Sequence, residues 1–378
     1  MKQKMHIVIL DFDDIKNPLL SGGQARATFE VAKRLVDLGN KVTVICSRFP
    51  NSKDIENNGV IYRHIGFGSS NIKLNNAIFF LALPFAVAKL KADVIIECFT
   101  APISTCFSPI FTKIPVIGMP TMFEAKEFAK KYHIPFHFVE ALGARFYKYF
   151  LAYSQLNKLK MEELNPKIFT KIIPNGVSED MLKVKTKEGN YGIFIGRIDV
   201  VQKGLDLLID ACRRFPKKLN MKIVIAGNGP TTEENKLKSL IQKNKLSDIV
   251  SFVGRVDGDL KEKLLANSMF GIYTSRFEDF PLVPLEYASF GKPLICFDVP
   301  GLLWVPEKVS IKVKPFDTAK LADALTSIVS NKNLRDKKKS HCRSFAKKYG
   351  WDAIAKKYEE FCYEVIRMEA QNKKGANI

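Results

Sequence analysis

Short apolar runs rich in Val and Ile alternate along this chain with longer stretches whose apolar positions recur every three or four residues. The runs His6 to Leu10, Lys41 to Cys46, Val60 to Ile65, Asp93 to Glu97 and Val116 to Gly118 predict strands. Gln24 to Leu38 predicts an amphipathic helix between the first two. This is the rhythm of successive βαβ units, which build a parallel sheet and gather ligands at the carboxyl ends of strands. Pro174-Asn175-Gly176 interrupts it with a turn signal. It then restarts, with strands expected at Tyr191 to Gly196, Met221 to Ala226, Ile249 to Val253, Phe270 to Thr274 and Pro293 to Phe297. At 378 residues the chain exceeds what one core usually serves. The expected architecture is therefore α/β, with two Rossmann-like domains at 1–174 and 175–350 and a cleft between them. From Asn331 to about Arg367 the period is helical, with Phe345, Trp351, Ile354, Tyr358, Phe361 and Ile366 as its apolar positions. A polar, frayed tail is expected from Gln371 onward.

Composition narrows the class. With 46% hydrophobic and 26% charged residues the chain can fill two cores, and it has no low-complexity run. Seven cysteines stand singly, without Cys-x-x-Cys or histidines at ligand spacing, so no disulfide framework, metal or cofactor is expected and a cytoplasmic setting fits. The apolar run before Asp11-Phe12-Asp13-Asp14 is too short for a signal peptide.

The longest apolar run, Ala77 to Ala88, contains Pro84 and falls short of the roughly 20 residues that span a bilayer. Lys73, Lys89 and Lys91 flank it, and Lys126 to Tyr149 mixes lysines with Phe136, Phe138, Phe146, Tyr147 and Tyr149. Two readings stand for each: a surface resting on an anionic membrane, or core helices with solvated basic edges. A net charge of +20 calls for polyanionic partners. Without a basic arm, helix-turn-helix spacing or an aromatic RNA-binding signature, nucleic acid is the weakest of these.

The chemistry concentrates in Ser275-Arg276-Phe277-Glu278-Asp279-Phe280-Pro281-Leu282-Val283-Pro284-Leu285-Glu286, where two glutamates stand eight positions apart. Upstream, Gly196-Arg197 and Lys203-Gly204 supply two cations on one loop. Cations for phosphates and carboxylates for hydroxyls are what a nucleotide-sugar site needs. Ser21-Gly22-Gly23 precedes a helix, where close backbone approach and free N–H groups favour an anion.

The order Gly22-Gly23, Asn175-Gly176-Val177, Gly196-Arg197, Lys203-Gly204, Gly227-Asn228-Gly229, Glu278 to Glu286 and Gly291-Lys292-Pro293 resembles that of family-4 glycosyltransferases, retaining enzymes of the GT-B fold. The resemblance covers nearly the whole chain, with its specific part in the C-terminal half. It implies that the C-terminal domain grips the nucleotide sugar, a UDP- or GDP-hexose, and that the N-terminal domain shapes the acceptor site. The segment 351–378 then packs back on the first domain.

Arg197 and Lys203 are expected to carry the charge of the departing diphosphate without a metal. By the same resemblance Glu278 contacts hydroxyls of the transferred sugar, Glu286 the ribose, and the N–H groups of Leu282 and Val283 the diphosphate. Gly22, Gly23, Gly227, Arg255, Val256 and Phe280 complete the set expected around the donor. The basic charge and the apolar helices of the first domain point to a lipid-linked or polysaccharide acceptor, at the inner face of a membrane.

Two positions depart from the family pattern. Pro281, which has no N–H, stands where many relatives carry Gly. Gly118-Met119-Pro120-Thr121-Met122-Phe123 holds no histidine where many relatives have one against the donor sugar, and His133 and His137 read as structural. Asp11-x-Asp13, directly after the first strand, resembles a metal-binding Asp-x-Asp, yet three-residue patterns recur by chance and two cations on the other domain already serve the diphosphate, which favours a loop role.

Overall fold

The computed structural model describes residues 4–100, 107–122, 125–126, 129, 133, 135–216, 219 and 221–375. They divide into two compact units, Met1–Asn175 with Trp351–Ile378, and Gly176–Gly350.

The first unit runs β1 (His6–Leu10), α1 (Gly23–Asp37), β2 (Lys41–Ser47), β3 (Ile55–Asn57), β4 (Val60–Ile65), α2 (Ile72–Ala88), β5 (Val94–Thr100), β6 (Val116–Met122), α3 (Phe136–Ala144), β7 (Tyr149–Ala152), α4 (Gln155–Leu164) and β8 (Phe169–Ile172). Its sheet has the order β3-β4-β2-β1-β5-β6-β7-β8, with only the edge pair β3 and β4 antiparallel. Ile7, Val8, Ile9 and Leu10 are all buried, as expected of a central parallel strand covered on both faces. The register His6↔Lys41 on one side and Ile7↔Val94 on the other fixes β1 at the centre.

The second unit runs α5 (Glu179–Lys183), β9 (Tyr191–Ile195), α6 (Leu205–Arg213), β10 (Lys222–Ala226), α7 (Thr231–Lys243), β11 (Val250–Phe252), α8 (Gly258–Asn267), β12 (Phe270–Tyr273), α9 (Val283–Ser289), β13 (Leu294–Phe297), β14 (Ser310–Val313), α10 (Thr318–Ser330) and α11 (Lys332–Ala346). Its parallel sheet has the order β11-β10-β9-β12-β13-β14. The order reverses between β9 and β12, the switch point where doubly wound sheets open a crevice. Those strands pair only at Phe270↔Gly192 and Gly271↔Ile193. Beyond that, the Tyr287 hydroxyl on α9 accepts the Ile195 N–H at 2.9 Å and donates to the Ile272 carbonyl at 3.3 Å, satisfying backbone groups that the diverging strands leave behind.

The helical tail holds two long helices, α11 and one that follows it. Gly350 is extended, ending the α11 side, and α12 (Trp351–Gly375) belongs to the first unit. Its Glu359 accepts from Asn40 Nδ2 at 2.8 Å, its Glu369 accepts from the Tyr149 hydroxyl at 2.9 Å, and Tyr358 and Phe361 are buried. The basic aromatic stretch from Lys126 to Tyr149 is mixed in structure. Its described part is α3 followed by a turn into β7, where Tyr147 and Tyr149 are core residues. Residues 127–128, 130–132 and 134 of that stretch lie outside the described set.

Candidate functional site

The residues expected at the site, apart from Gly22 and Gly23, come from the loops at the carboxyl ends of β9, β10, β11 and β12 and from the first turn of α9, around the switch point of the second unit. Arg197 and Lys203 follow β9, Gly227 follows β10, Arg255 and Val256 follow β11, and Glu278 follows β12. The sheet topology therefore gathers residues spread over more than eighty positions onto one edge.

Lys203 and Glu278 form an ion pair, and each side chain is only 12% exposed. The Lys203 ammonium also lies 5.7 Å from the centre of the Tyr273 ring, a cation–π distance. The Lys203 carbonyl accepts from the Thr274 hydroxyl at 2.9 Å, which ties the β9 loop to the end of β12. Arg276 reinforces this tie: it forks onto Asp206 at 2.8 and 2.7 Å and donates to the Val201 carbonyl. Arg276 was read from sequence only as part of the glutamate stretch, and its partner on α6 gave no signal there.

Arg197 is placed differently. Its guanidinium bonds Gln202 within the same loop, and its side chain is half exposed. Both cations thus sit on one loop, with Lys203 engaged by a carboxylate and Arg197 presented to solvent.

Glu286 lies in the first turn of α9, where its Oε1 accepts from Lys261 Nζ on α8 at 2.7 Å. Its Oε2 is buried and has no hydrogen-bond partner among the described residues. A buried carboxylate oxygen without a donor is costly unless a ligand supplies one. Lys261 is a site residue that the sequence reading missed, since a lysine on a polar helix carries no pattern of its own.

Leu282 caps α9, and its carbonyl accepts the N–H groups of Leu285 and Glu286. Val283 opens the helix, which is only seven residues long. Phe280 is buried and stacks on Trp304 at 4.1 Å and 16°, so it props the loop from below. Gly227 has φ +144°, and a Cβ there would stand 1.8 Å from the Gly196 carbonyl oxygen. Its N–H bonds the Gly254 carbonyl at 2.7 Å, which makes it the clamp between three strand ends. Arg255 reaches Asp257 at 3.4 Å and is half exposed.

Gly22 and Gly23 lie in the first unit, at the start of α1. The Gly22 N–H donates to Asp13 Oδ2 at 2.7 Å and the Ser21 N–H to Asp13 Oδ1 at 3.2 Å. Asp11 accepts from the Thr28 hydroxyl at 2.5 Å and from the Asp13 N–H at 3.1 Å. Asp11-x-Asp13 thus knits the loop to α1. Among the described residues no group of His, Cys, Asp or Glu is placed to hold a metal ion.

Burial pushes the Asp11 carboxyl up to about 6 and the Asp13 carboxyl up to about 7, against the pull of their N–H and O–H donors. A carboxyl with a higher pKa folded than unfolded keeps its proton longer when folded, so this pair weakens folding as pH rises from about 4 to about 7. Asp11→Asn keeps an acceptor for Asp13 and offers a donor to Thr28. It is expected to flatten that loss, worth on the order of 3 kcal/mol, in melting curves at pH 5 and 8. An unchanged pH slope would contradict the assignment.

Two family profiles match the chain and together span most of it. The profile for glycosyltransferase family 4 matches residues 21–180, and that for glycosyl transferases group 1 matches residues 179–349. The chain belongs to the family-4 glycosyltransferases of the GT-B fold. Among relatives, it is 28% identical to a phosphatidyl-myo-inositol mannosyltransferase of Mycobacterium leprae over 193 residues, 48% of this chain and 50% of that protein. The chain spans about half the length of the curated relatives it matches. Sucrose-phosphate synthase from Thermosynechococcus elongatus has the same fold, with TM-score 0.81, 18% identity and coverage of 97% of this chain and 100% of that one. So does Anabaena HepE in complex with UDP-glucose, with TM-score 0.75, 17% identity and coverage of 95% and 100%.

Proposed function

We propose that this protein is a metal-independent retaining glycosyltransferase that moves a hexose from a UDP- or GDP-sugar to a lipid-linked or glycan acceptor. The observation that carries this reading is the pair of cation–carboxylate contacts at the switch point, Lys203 with Glu278 and Lys261 with Glu286. The HepE complex with UDP-glucose supports the donor class, and the mannosyltransferase relative, by its name, supports a lipid acceptor.

In this reading the diphosphate takes over Lys203 and meets Arg197, which frees Glu278 to face the sugar hydroxyls. Fixed cations then stabilise the charge that grows on the leaving phosphate as the anomeric carbon gains oxocarbenium character. The bond from the anomeric carbon to the phosphate oxygen breaks while the bond to the acceptor oxygen forms on the same face. The acceptor proton passes to the departing phosphate oxygen, so no separate base is required, in keeping with the absence of histidine from 118–123.

Glu286 Oε2 is the acceptor for a ribose hydroxyl, and Lys261 is a positioning residue that holds Glu286 in that orientation. Lys261→Met is expected to raise the donor KM about 10- to 30-fold and to leave kcat within about threefold, because it weakens binding equally in the ground and transition states. Lys261→Arg should restore the KM. Initial rates over donor concentration check this, and a fall in kcat alone would contradict it.

The reading as a whole is tested by nucleoside diphosphate release in EDTA, with and without a lipid or glycan acceptor. Release that needs the acceptor is the expected result. Loss of release in EDTA would overturn metal independence, and conversion of the donor sugar without release would make the protein an epimerase.

A further inference from the structure

No helix among the described residues is long and apolar enough to cross a membrane. Helix α2 is nevertheless apolar nearly all round, with the sequence Ile-Lys-Leu-Asn-Asn-Ala-Ile-Phe-Phe-Leu-Ala-Leu-Pro-Phe-Ala-Val-Ala. A helix of that composition in a water-soluble fold should be buried on every face. This one is not.

One ridge of α2, with i+4 spacing, is Asn75, Phe79, Leu83 and Val87, all buried, the last three in the core beneath the sheet. The row on the opposite side of the helix, again at i+4, is Lys73, Ala77, Leu81, Phe85 and Lys89, and all five are exposed. Leu81 is 74% exposed and Phe85 73%. A lysine therefore ends an apolar ridge on each side, over a length of about 24 Å. Ala88, beside the last turn, continues into a groove lined by Leu90, Ile110, Phe111 and Lys113, where Ile110 and Phe111 are also exposed. Residues 66–92 and 107–122 contain Lys73, Lys89, Lys91 and Lys113 and no Asp or Glu.

We propose that this ridge and the adjoining groove are a docking face for an anionic lipid bilayer. The helix lies flat: Leu81 and Phe85 enter the boundary between headgroups and acyl chains, while the stems of Lys73 and Lys89 cover apolar surface and their ammonium groups reach lipid phosphates. The charge selects this occupant. A second copy of the chain would bring lysines against lysines at both ends of the ridge, whereas a surface rich in acidic lipids meets each of them with an opposite charge. The inference gives a surface to the lipid-acceptor reading above, yet its test needs no turnover.

The test is co-sedimentation of the full chain with vesicles of phosphatidylcholine containing about 30% phosphatidylglycerol, against phosphatidylcholine alone. Binding to the anionic vesicles is expected, at least about tenfold weaker in the Leu81→Ser/Phe85→Ser double variant. The Lys73→Ser/Lys89→Ser double variant should bind more weakly too, with a shallower salt dependence. All four positions are exposed, so melting temperatures should hold. No binding by the wild type, or binding by both double variants as tight as the wild type's, would overturn the proposal. So would a wild-type dimer by light scattering that Leu81→Ser/Phe85→Ser turns into a monomer, since a second copy would then cover the face. Vesicle binding without transfer activity would leave docking intact and count against the glycosyl-transfer reading, and transfer to a soluble acceptor without vesicle binding would do the reverse.

Discussion

Lys203→Ala is expected to lower transfer by about 10²–10³-fold, the usual cost of losing one preorganised group that meets transition-state charge. The variant should also melt at a lower temperature. Lys203 and Glu278 are both nearly buried, so removing the ammonium strands a carboxylate in a site that water barely reaches. Adding Glu278→Ala separates the two effects. The double variant should regain most of the lost stability and none of the activity. If the pair were only a structural strut, relieving the stranded charge would bring back both. The comparison of melting curves with single-turnover rates for the three variants decides between them.

Gly301→Ala should cost about 10²-fold in turnover without changing any side chain placed against the donor. A Cβ at Gly301 would stand 1.8 Å from the carbonyl oxygen of Glu278 and 2.4 Å from its carbonyl carbon. Backbone cannot yield to that, so the segment carrying Glu278 must move away, and a displacement of about 1 Å at a reacting centre is worth that much. Phe280, two residues after Glu278, stacks on Trp304, three after Gly301, and this ring pair resists the shift and turns it into strain. Nucleotide binding through Lys261 and Glu286 should survive. A large loss of kcat with donor KM nearly constant is the expected signature, and full activity in Gly301→Ala would show that the position of Glu278 does not matter.

The sequence carried the central strands because parallel strands are buried on both faces and read as unbroken Val and Ile runs. β1 and β2 begin where that pattern puts them. The strands it hid are short or mixed in character. Phe169–Ile172 and Ser310–Val313 each include a lysine, β3 is a three-residue edge, and Tyr149–Ala152 follows so many aromatic and basic residues that the helical reading ran over it. The two-glutamate stretch and the Arg197–Lys203 loop were legible because their spacing is local.

Their partners were not. Lys261 lies twenty-five positions before Glu286, Asp206 seventy before Arg276, and Gly301 more than twenty after Glu278. Only the order of strands in the sheet brings these together, and no periodicity along the chain encodes it. The opposed ridges of α2 fall between these cases: the apolar run was visible, but which face stayed in water depended on how the helix packs.

The most direct test of the account is thermal stabilisation by UDP, GDP and ADP, each with and without its sugar, in EDTA. The wild type should be compared with Lys203→Ala and Glu286→Ala. One nucleotide should raise the wild-type melting temperature by several degrees at about 100 times its dissociation constant, where binding adds about 2.7 kcal/mol. That shift should vanish in both variants. A wild-type protein that no nucleotide stabilises, or a shift that persists undiminished in both variants, would contradict the placement of the donor at the switch point of the second unit.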